Sequence, residues 1–388
     1  MKSFYTWGKV LRLPLSREII EWPDWYNEAL ISEITVDGQS LKAMVDTGTD
    51  ETFFISSQSF IDGKLCDELF YGCYQCRPEV CAAESTGIEF KDGRRVNLVP
   101  HSGTLDFGQE RVTEMKFGII KDYFGLPHHA SLGLAPKPED DNEDFIPLLD
   151  QLVDKKLIAK REFSMYFEPD NINKGELILG GKDITIYQEP SLQVPLTVGK
   201  NTWRVDLKDI TIGGKLIQSA RSSYSILVDS GADCLFGPLE VVRPVLAVIE
   251  ASLTVVGRSI KFNWDGFDGR DLQSCDDRKY LPSIKLTFRG ESDTDVILEI
   301  PSELYVRESP NGHSCTLLIK EVPRGFAVGV SLLRKYHLHF QVDKRQIGFA
   351  LSKGESRKQT TYRKRRLKGL KLPKLRSCLG CISPLLVY

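Results

Sequence analysis

The sequence predicts a mainly β protein made of two related lobes with a few short helices. Three observations carry this. Short alternating apolar runs, such as Val205-Asp206-Leu207 and Ile284-Lys285-Leu286-Thr287-Phe288, recur between Gly, Asn, Asp and Pro, the pattern of half-buried strands bounded by turns. An eight-residue motif appears twice, once in each half of the chain. At 388 residues the chain is too long for one small domain and suits two lobes with a common core.

Composition agrees. Hydrophobic residues make up 41% of the chain, enough for a packed core and unlike a disordered segment. Helical spacing is rarer, and its clearest stretch is Phe145 to Ile158, where Ile146, Leu149, Leu152, Val153 and Leu157 fall on one face. The net charge of −2 conceals an asymmetry. Residues 353–388 hold eleven Lys or Arg against Glu355 alone, a net of +10, which leaves −12 for residues 1–352. An acidic body argues against nucleic acid as its partner. No apolar run approaches the roughly 20 residues that span a bilayer. Lys9, Arg12, Arg17 and Glu18 break up any apolar signal-peptide core, so the letters give no positive evidence for secretion. Either the true start lies elsewhere or the chain is handled unconventionally.

The repeated motif is the informative feature. Ala43-Met44-Val45-Asp46-Thr47-Gly48-Thr49-Asp50 recurs as Ile226-Leu227-Val228-Asp229-Ser230-Gly231-Ala232-Asp233. Each copy is an apolar strand ending on Asp, then a hydroxyl residue, then Gly. A carboxylate at the end of a buried strand is costly unless its charge is matched. Two of them in two similar halves suggest that they meet. Adjacent carboxylates resist double ionisation, so the pair holds one proton. One then serves as general base toward a water while the protonated partner polarises a carbonyl. Gly48 and Gly231 let backbone approach the carboxylates, and the hydroxyls of Thr47 and Ser230 are placed to bond across to the opposite loop. A single Asp-hydroxyl-Gly triplet is commonplace; two behind apolar runs carry the inference.

With these motifs the chain resembles the pepsin-like aspartic proteases over about residues 27–351. Ser131-Leu132-Gly133-Leu134-Ala135-Pro136 and Ala327-Val328-Gly329-Val330 are similar to the family's apolar-Gly segments beneath the two catalytic loops. Gly175-Glu176-Leu177-Ile178-Leu179-Gly180-Gly181 resembles its crossover segment, and Arg345-Gln346-Ile347-Gly348-Phe349-Ala350 its last strand. The resemblance implies a bilobal β fold with a central cleft that takes an extended peptide or protein substrate. It implies endopeptidase activity at acidic pH by a monomer, without metal or organic cofactor, in a secreted or endolysosomal setting. It makes Asp46 and Asp229 the catalytic pair, Thr47 and Ser230 the paired hydroxyls that lock the loops, and Thr49 the hydroxyl bonded to the first aspartate. Cys275 and Cys315 stand where the family has a disulfide. Residues 1–188 form the first lobe, 189–352 the second, and 353–388 a basic tail.

Several positions depart from the family. Ala232 stands where a hydroxyl would serve Asp229. Phe53 replaces a Trp. Ser102-Gly103-Thr104-Leu105 resembles the end of the hairpin that closes the cleft, which puts Val96 near the place of its Tyr and leaves Asn97 and His101 as the polar residues. Asp50 and Asp233 are either like charges that raise the pair's proton affinity or solvated turn residues. No inhibitory pro-segment is evident, since only 45 residues precede Asp46. These departures keep a second reading open, a weak or inactive member whose cleft is a peptide-binding module.

The remaining motifs are weaker. Cys66, Cys73, Cys76 and Cys81 crowd one stretch, where loop disulfides rank ahead of zinc, and Cys234 reads as a buried thiol. His337 and His339 share a strand face but lack a third ligand, so a structural role is favoured over metal. His128-His129 reads as loop. The basic tail with Cys378 and Cys381 has two readings, attraction to anionic lipid and a disordered solvated extension, the latter favoured.

Overall fold

The computed structural model describes residues 9–354 apart from 22–25, 59–65, 77–80, 82–84, 90–94, 109, 125–128, 138–144, 219–223, 264–268 and 324. The expectations for His128 and for the tail beyond 354 lie outside the described residues.

In β1 (Leu11–Glu21), Leu11, Leu13 and Leu15 are buried and alternate with exposed Arg12 and Pro14, the period of two that puts one strand face on the core. Antiparallel to it lies β2 (Tyr26–Val36), which turns into β3 (Gln39–Asp46) through Asp37 and Gly38. Both turn residues take left-handed angles (φ 48° and 78°), the twist that two-residue hairpins favour. Next come β4 (Phe53–Ile55), the hairpin of β5 (Thr86–Glu89) and β6 (Arg95–Phe107), and the long β7 (Glu110–Phe124). The short β8 (Ser131–Gly133) inserts between β3 and β4, parallel to β3. After α1 (Leu148–Asp154), β9 (Glu162–Glu168) and β10 (Asn171–Leu179) bring the chain back beside β1.

The second half follows with β11 (Leu192–Pro195), β12 (Arg204–Ile212), β13 (Lys215–Gln218), β14 (Tyr224–Asp229) and β15 (Leu235–Gly237). Then come α2 (Leu239–Thr254), β16 (Ile260–Asn263), β17 (Gly269–Leu272), β18 (Ile284–Arg289), β19 (Asp295–Ile300) and α3 (Ser302–Tyr305). The chain closes with β20 (Val306–Glu308), β21 (Cys315–Leu317), β22 (Ile319–Glu321), β23 (Ala327–Gly329), β24 (Tyr336–Gln341) and β25 (Gln346–Leu351).

The sequence repeat is a topological repeat. In the first half β2–β3 is antiparallel, β3–β8 parallel, β8–β4 antiparallel and β4–β7 parallel. In the second, β12–β14, β14–β23, β23–β15 and β15–β22 repeat that alternation. A 13-stranded sheet holds the first set together with β11, β24 and β25 from the chain's second half. Sheets of eight (β12–β15, β18, β19, β22, β23) and four strands (β16, β17, β20, β21) complete the fold. Phe163 on β9 stacks on Phe340 of β24 at 4.6 Å, and fully buried Trp203 packs edge-on against both.

One helix expectation is corrected. Phe145 to Ile158 yields only Leu148–Asp154, because Pro147 opens the helix and Lys156 takes a left-handed φ of 59° just past its end. The longer α2 went unpredicted. Its interior Pro244 and its β-branched residues contradict helix propensity, yet Val241, Val242, Val245, Leu246, Ile249 and Leu253 form a buried stripe whose packing overrides that bias.

Candidate active site

Strands β3 and β14 each terminate on the aspartate of the repeated motif. Asp46 is 7% exposed and Asp229 half-buried. Past them the two turns grip each other reciprocally. The Thr47 N–H donates to Ser230 Oγ at 2.9 Å, and the Ser230 N–H donates to Thr47 Oγ1 at 2.9 Å. Each hydroxyl then donates onward into the opposite strand, Thr47 to the Val228 carbonyl at 2.9 Å and Ser230 to the Val45 carbonyl at 2.6 Å. Both hydroxyls are buried, so all four bonds are shielded from water.

The glycines bring the carboxylates in. Gly48 N–H donates to Asp46 Oδ1 at 2.7 Å and Gly231 N–H to Asp229 Oδ1 at 2.9 Å. A β-carbon on Gly48 would stand 3.0 Å from both Asp229 oxygens and 3.0 Å from Asp46 Oδ1; one on Gly231 would stand 2.6 Å from Asp46 Oδ1. Each carboxylate therefore lies against the opposite turn, and both reach one common point. At such range the first ionisation opposes the second. Beneath the turns, β8 and β23 run parallel to β3 and β14 with Gly133 opposite Asp46 and Gly329 opposite Asp229. A β-carbon at Gly133 would meet the Glu51 carbonyl at 2.4 Å, and one at Gly329 the Ala232 carbonyl at 2.4 Å. The turns rest on bare backbone. Arg204, half-buried on β12, is lowered by burial while Asp229 opposes that fall.

Other expected residues are placed differently. The Thr49 hydroxyl donates to the Glu51 carboxylate. Asp50 is 6% exposed, and Asp233 is bound to Arg307 Nη1 at 2.7 Å with 14% of its side chain exposed, so neither is a solvated turn residue. Burial pushes the Asp233 carboxyl up, but attraction to Arg307 and Lys320 brings it below the ordinary range. Phe53 is fully buried in β4, edge-on to His129 at 5.4 Å, which makes it a core residue. In the β5–β6 hairpin, Val96 faces inward with no exposure, and Asn97 pairs with Asp122 at 3.3 Å. His101 meets Tyr74, whose hydroxyl donates to Asp37 at 2.6 Å. That Tyr comes from the cysteine-rich stretch, a contact the spacing gave no sign of.

Among the described residues, the cysteines pair as Cys66–Cys73, Cys76–Cys81 and Cys275–Cys315, leaving Cys234 buried and free. The Cys73-x-x-Cys76 spacing is thus divided between two disulfides and is no zinc site. Among the described residues, the one grouping of three possible metal ligands is Cys275, Glu308 and Cys315, two of them joined covalently. His337 and His339 lie buried in β24, His337 stacked on Tyr187 at 4.4 Å and His339 3.4 Å from Glu162.

The comparisons agree with this geometry. The model of the eukaryotic aspartyl protease family matches residues 31–352. The chain is 24% identical over 340 residues to a renin of Echis ocellatus, covering 82% of this chain and 78% of that protein. It is 25% identical over 332 residues to pepsin-3 of Oryctolagus cuniculus, covering 82% and 79%. It is 23% identical over 341 residues to an acid protease of Saccharomycopsis fibuligera, covering 83% and 80%. The family match runs through both aspartate turns and the strands that seat them, and the chain belongs to the eukaryotic aspartyl protease family.

Proposed function

We propose that the chain is an aspartic endopeptidase in which Asp46 and Asp229 share one proton. The observation that carries this reading is the convergence of both carboxylates within 3.0 Å of one point, the β-carbon position of Gly48. The ionised carboxylate takes a proton from a water as it attacks the scissile carbonyl of an extended peptide. The protonated partner donates to the carbonyl oxygen, giving a tetrahedral diol. A proton passed from the pair to the amide nitrogen then lets the C–N bond break as a diol hydroxyl returns its proton, so the pair is left with one proton again. Gly48 and Gly231 N–H groups fix each carboxylate's inner oxygen, and the Thr47–Ser230 lock holds the distance between them. The test is cleavage of an unfolded protein between about pH 3 and pH 6. Asp46→Asn and Asp229→Asn should each lower the rate by at least about 10³-fold; equal activity in wild type and variant rejects the assignment.

One observation favours a second reading, a peptide-binding module with little turnover. Val96, near the place of the family's cleft-closing Tyr, is buried in the hairpin. Tight binding of a peptide bearing a hydroxyl in place of the scissile carbonyl, with no cleavage of the parent peptide, selects that reading.

A further inference from the structure

We propose that Arg307 is a positioning residue for Asp229, acting through Asp233, whose carboxylate it grips and whose charge it cancels. The inference rests on the protease reading above. Its basis is an exchange between the two pseudo-equivalent turns. In the first turn, side chains close the loop on itself: Thr49 donates to Glu51, and Thr52 Oγ1 accepts the Gly133 N–H at 3.2 Å. At the same offsets from Asp229 stand Ala232, Cys234 and Leu235, which offer no hydroxyl or carboxylate. The second turn keeps its backbone ties, Gly329 N–H to the Cys234 carbonyl at 3.0 Å and the Ser331 hydroxyl to the Asp233 carbonyl at 3.4 Å. Its additional side-chain anchor is the 2.7 Å pair between Asp233 and Arg307.

Arg307 is itself well held. It sits on β20 with 3% of its side chain exposed, opposite Thr316 of β21. The Thr316 hydroxyl donates to Asp271 of β17 at 2.5 Å, and Thr316 adjoins the Cys275–Cys315 disulfide. A polar row thus runs from the disulfide-braced sheet to the turn that carries Asp229. Such a pair contributes geometry, and breaking one side of it leaves an uncompensated buried charge.

The charges around Asp233 give the proposal a signed test. They are Arg307 on β20, Lys320 on β22 and the neighbouring Cys234, with Asp229 four residues back at the end of β14. Asp46 lies on the opposite turn. Arg204 of β12 faces Asp229, and Asp271 stands across β21 from Arg307. Arg307→Met leaves the Asp233 carboxylate short of its partner, so both limbs of the kcat/KM pH profile should move up, on the order of one pH unit. Asp233→Asn, nearly isosteric, leaves the Arg307 charge unbalanced, so the limbs should move down by a similar amount. Both variants should lose kcat about tenfold with KM little changed, and Arg307→Lys should restore part of it. If Arg307→Met does not fold, the direction of the Asp233→Asn shift decides alone. An active enzyme whose limbs stay in place in Asp233→Asn overturns the inference while the protease reading stands. A wild type without turnover removes both.

Discussion

The indole N–H of Trp203 donates to the carbonyl of Leu134 at 2.8 Å, so a residue at the head of the second half secures the segment beneath Asp46. Leu134 in turn donates its N–H to the Asp46 carbonyl at 2.8 Å. Trp203→Phe keeps most of the apolar volume against Phe163 and Phe340 but leaves a buried carbonyl unmatched. A loss of about 2–4 kcal/mol is expected in urea unfolding. A several-fold fall in kcat should accompany it, with KM nearly constant, measured on a peptide substrate.

The Ser230 hydroxyl takes part in two of the four bonds that join the turns. Ser230→Ala strands the Thr47 N–H and the Val45 carbonyl in a dry site and should cost about 2–4 kcal/mol. Ser230→Thr keeps donor and acceptor and matches the residue already used at position 47, so it should cost much less. Unfolding midpoints of the two variants make the comparison; equal losses would deny the hydroxyl its role.

His337 makes stability fall in acid. Burial, with smaller help from His339 and Lys182, pushes its imidazole down to about 3, whereas an unfolded chain titrates near 6.5. Below about pH 6.5 the unfolded state binds a proton that the folded state refuses, so stability is full above that pH and drains away as pH falls toward 3. His337→Leu removes this drain. The stability difference between pH 7 and pH 4 should shrink by about 3 kcal/mol in the variant. An unchanged difference would mean that His337 is protonated in the fold.

The disulfides should differ in weight. Cys275–Cys315 spans 40 residues, against 7 for Cys66–Cys73 and 5 for Cys76–Cys81. By loop entropy, removing the long one should cost about 4 kcal/mol and each short one about 2 kcal/mol. Paired Cys→Ser substitutions with urea titration test the ranking.

What could be read from the letters depended on how local the signal was. The Asp-hydroxyl-Gly repeat and the apolar-Gly segments are short and alternating, and they led to the strands that carry Asp46 and Asp229. The Asp233–Arg307 pair joins residues 74 positions apart, and no spacing rule links them. An arginine directly after two apolar residues, in Tyr305-Val306-Arg307, was the one available hint that a cation needed a partner. Tyr74 reached His101 by folding of the cysteine-rich stretch, and α2 was hidden because tertiary packing outvoted Pro244 and its valines.

The placement of β9 beside β24 has a consequence for biosynthesis. Residues 162–165 pair with residues 338–341 from the second half of the chain, and β25 and β11 extend that same sheet. While the ribosome is still making the second half, β9 presents an unpaired edge that nothing can cover until Tyr336 and its successors emerge. Pairings this distant are slow to form and leave a nascent chain open to mispairing with its neighbours. Emergence of β24, rather than completion of the first half, is the step at which the sheet can close.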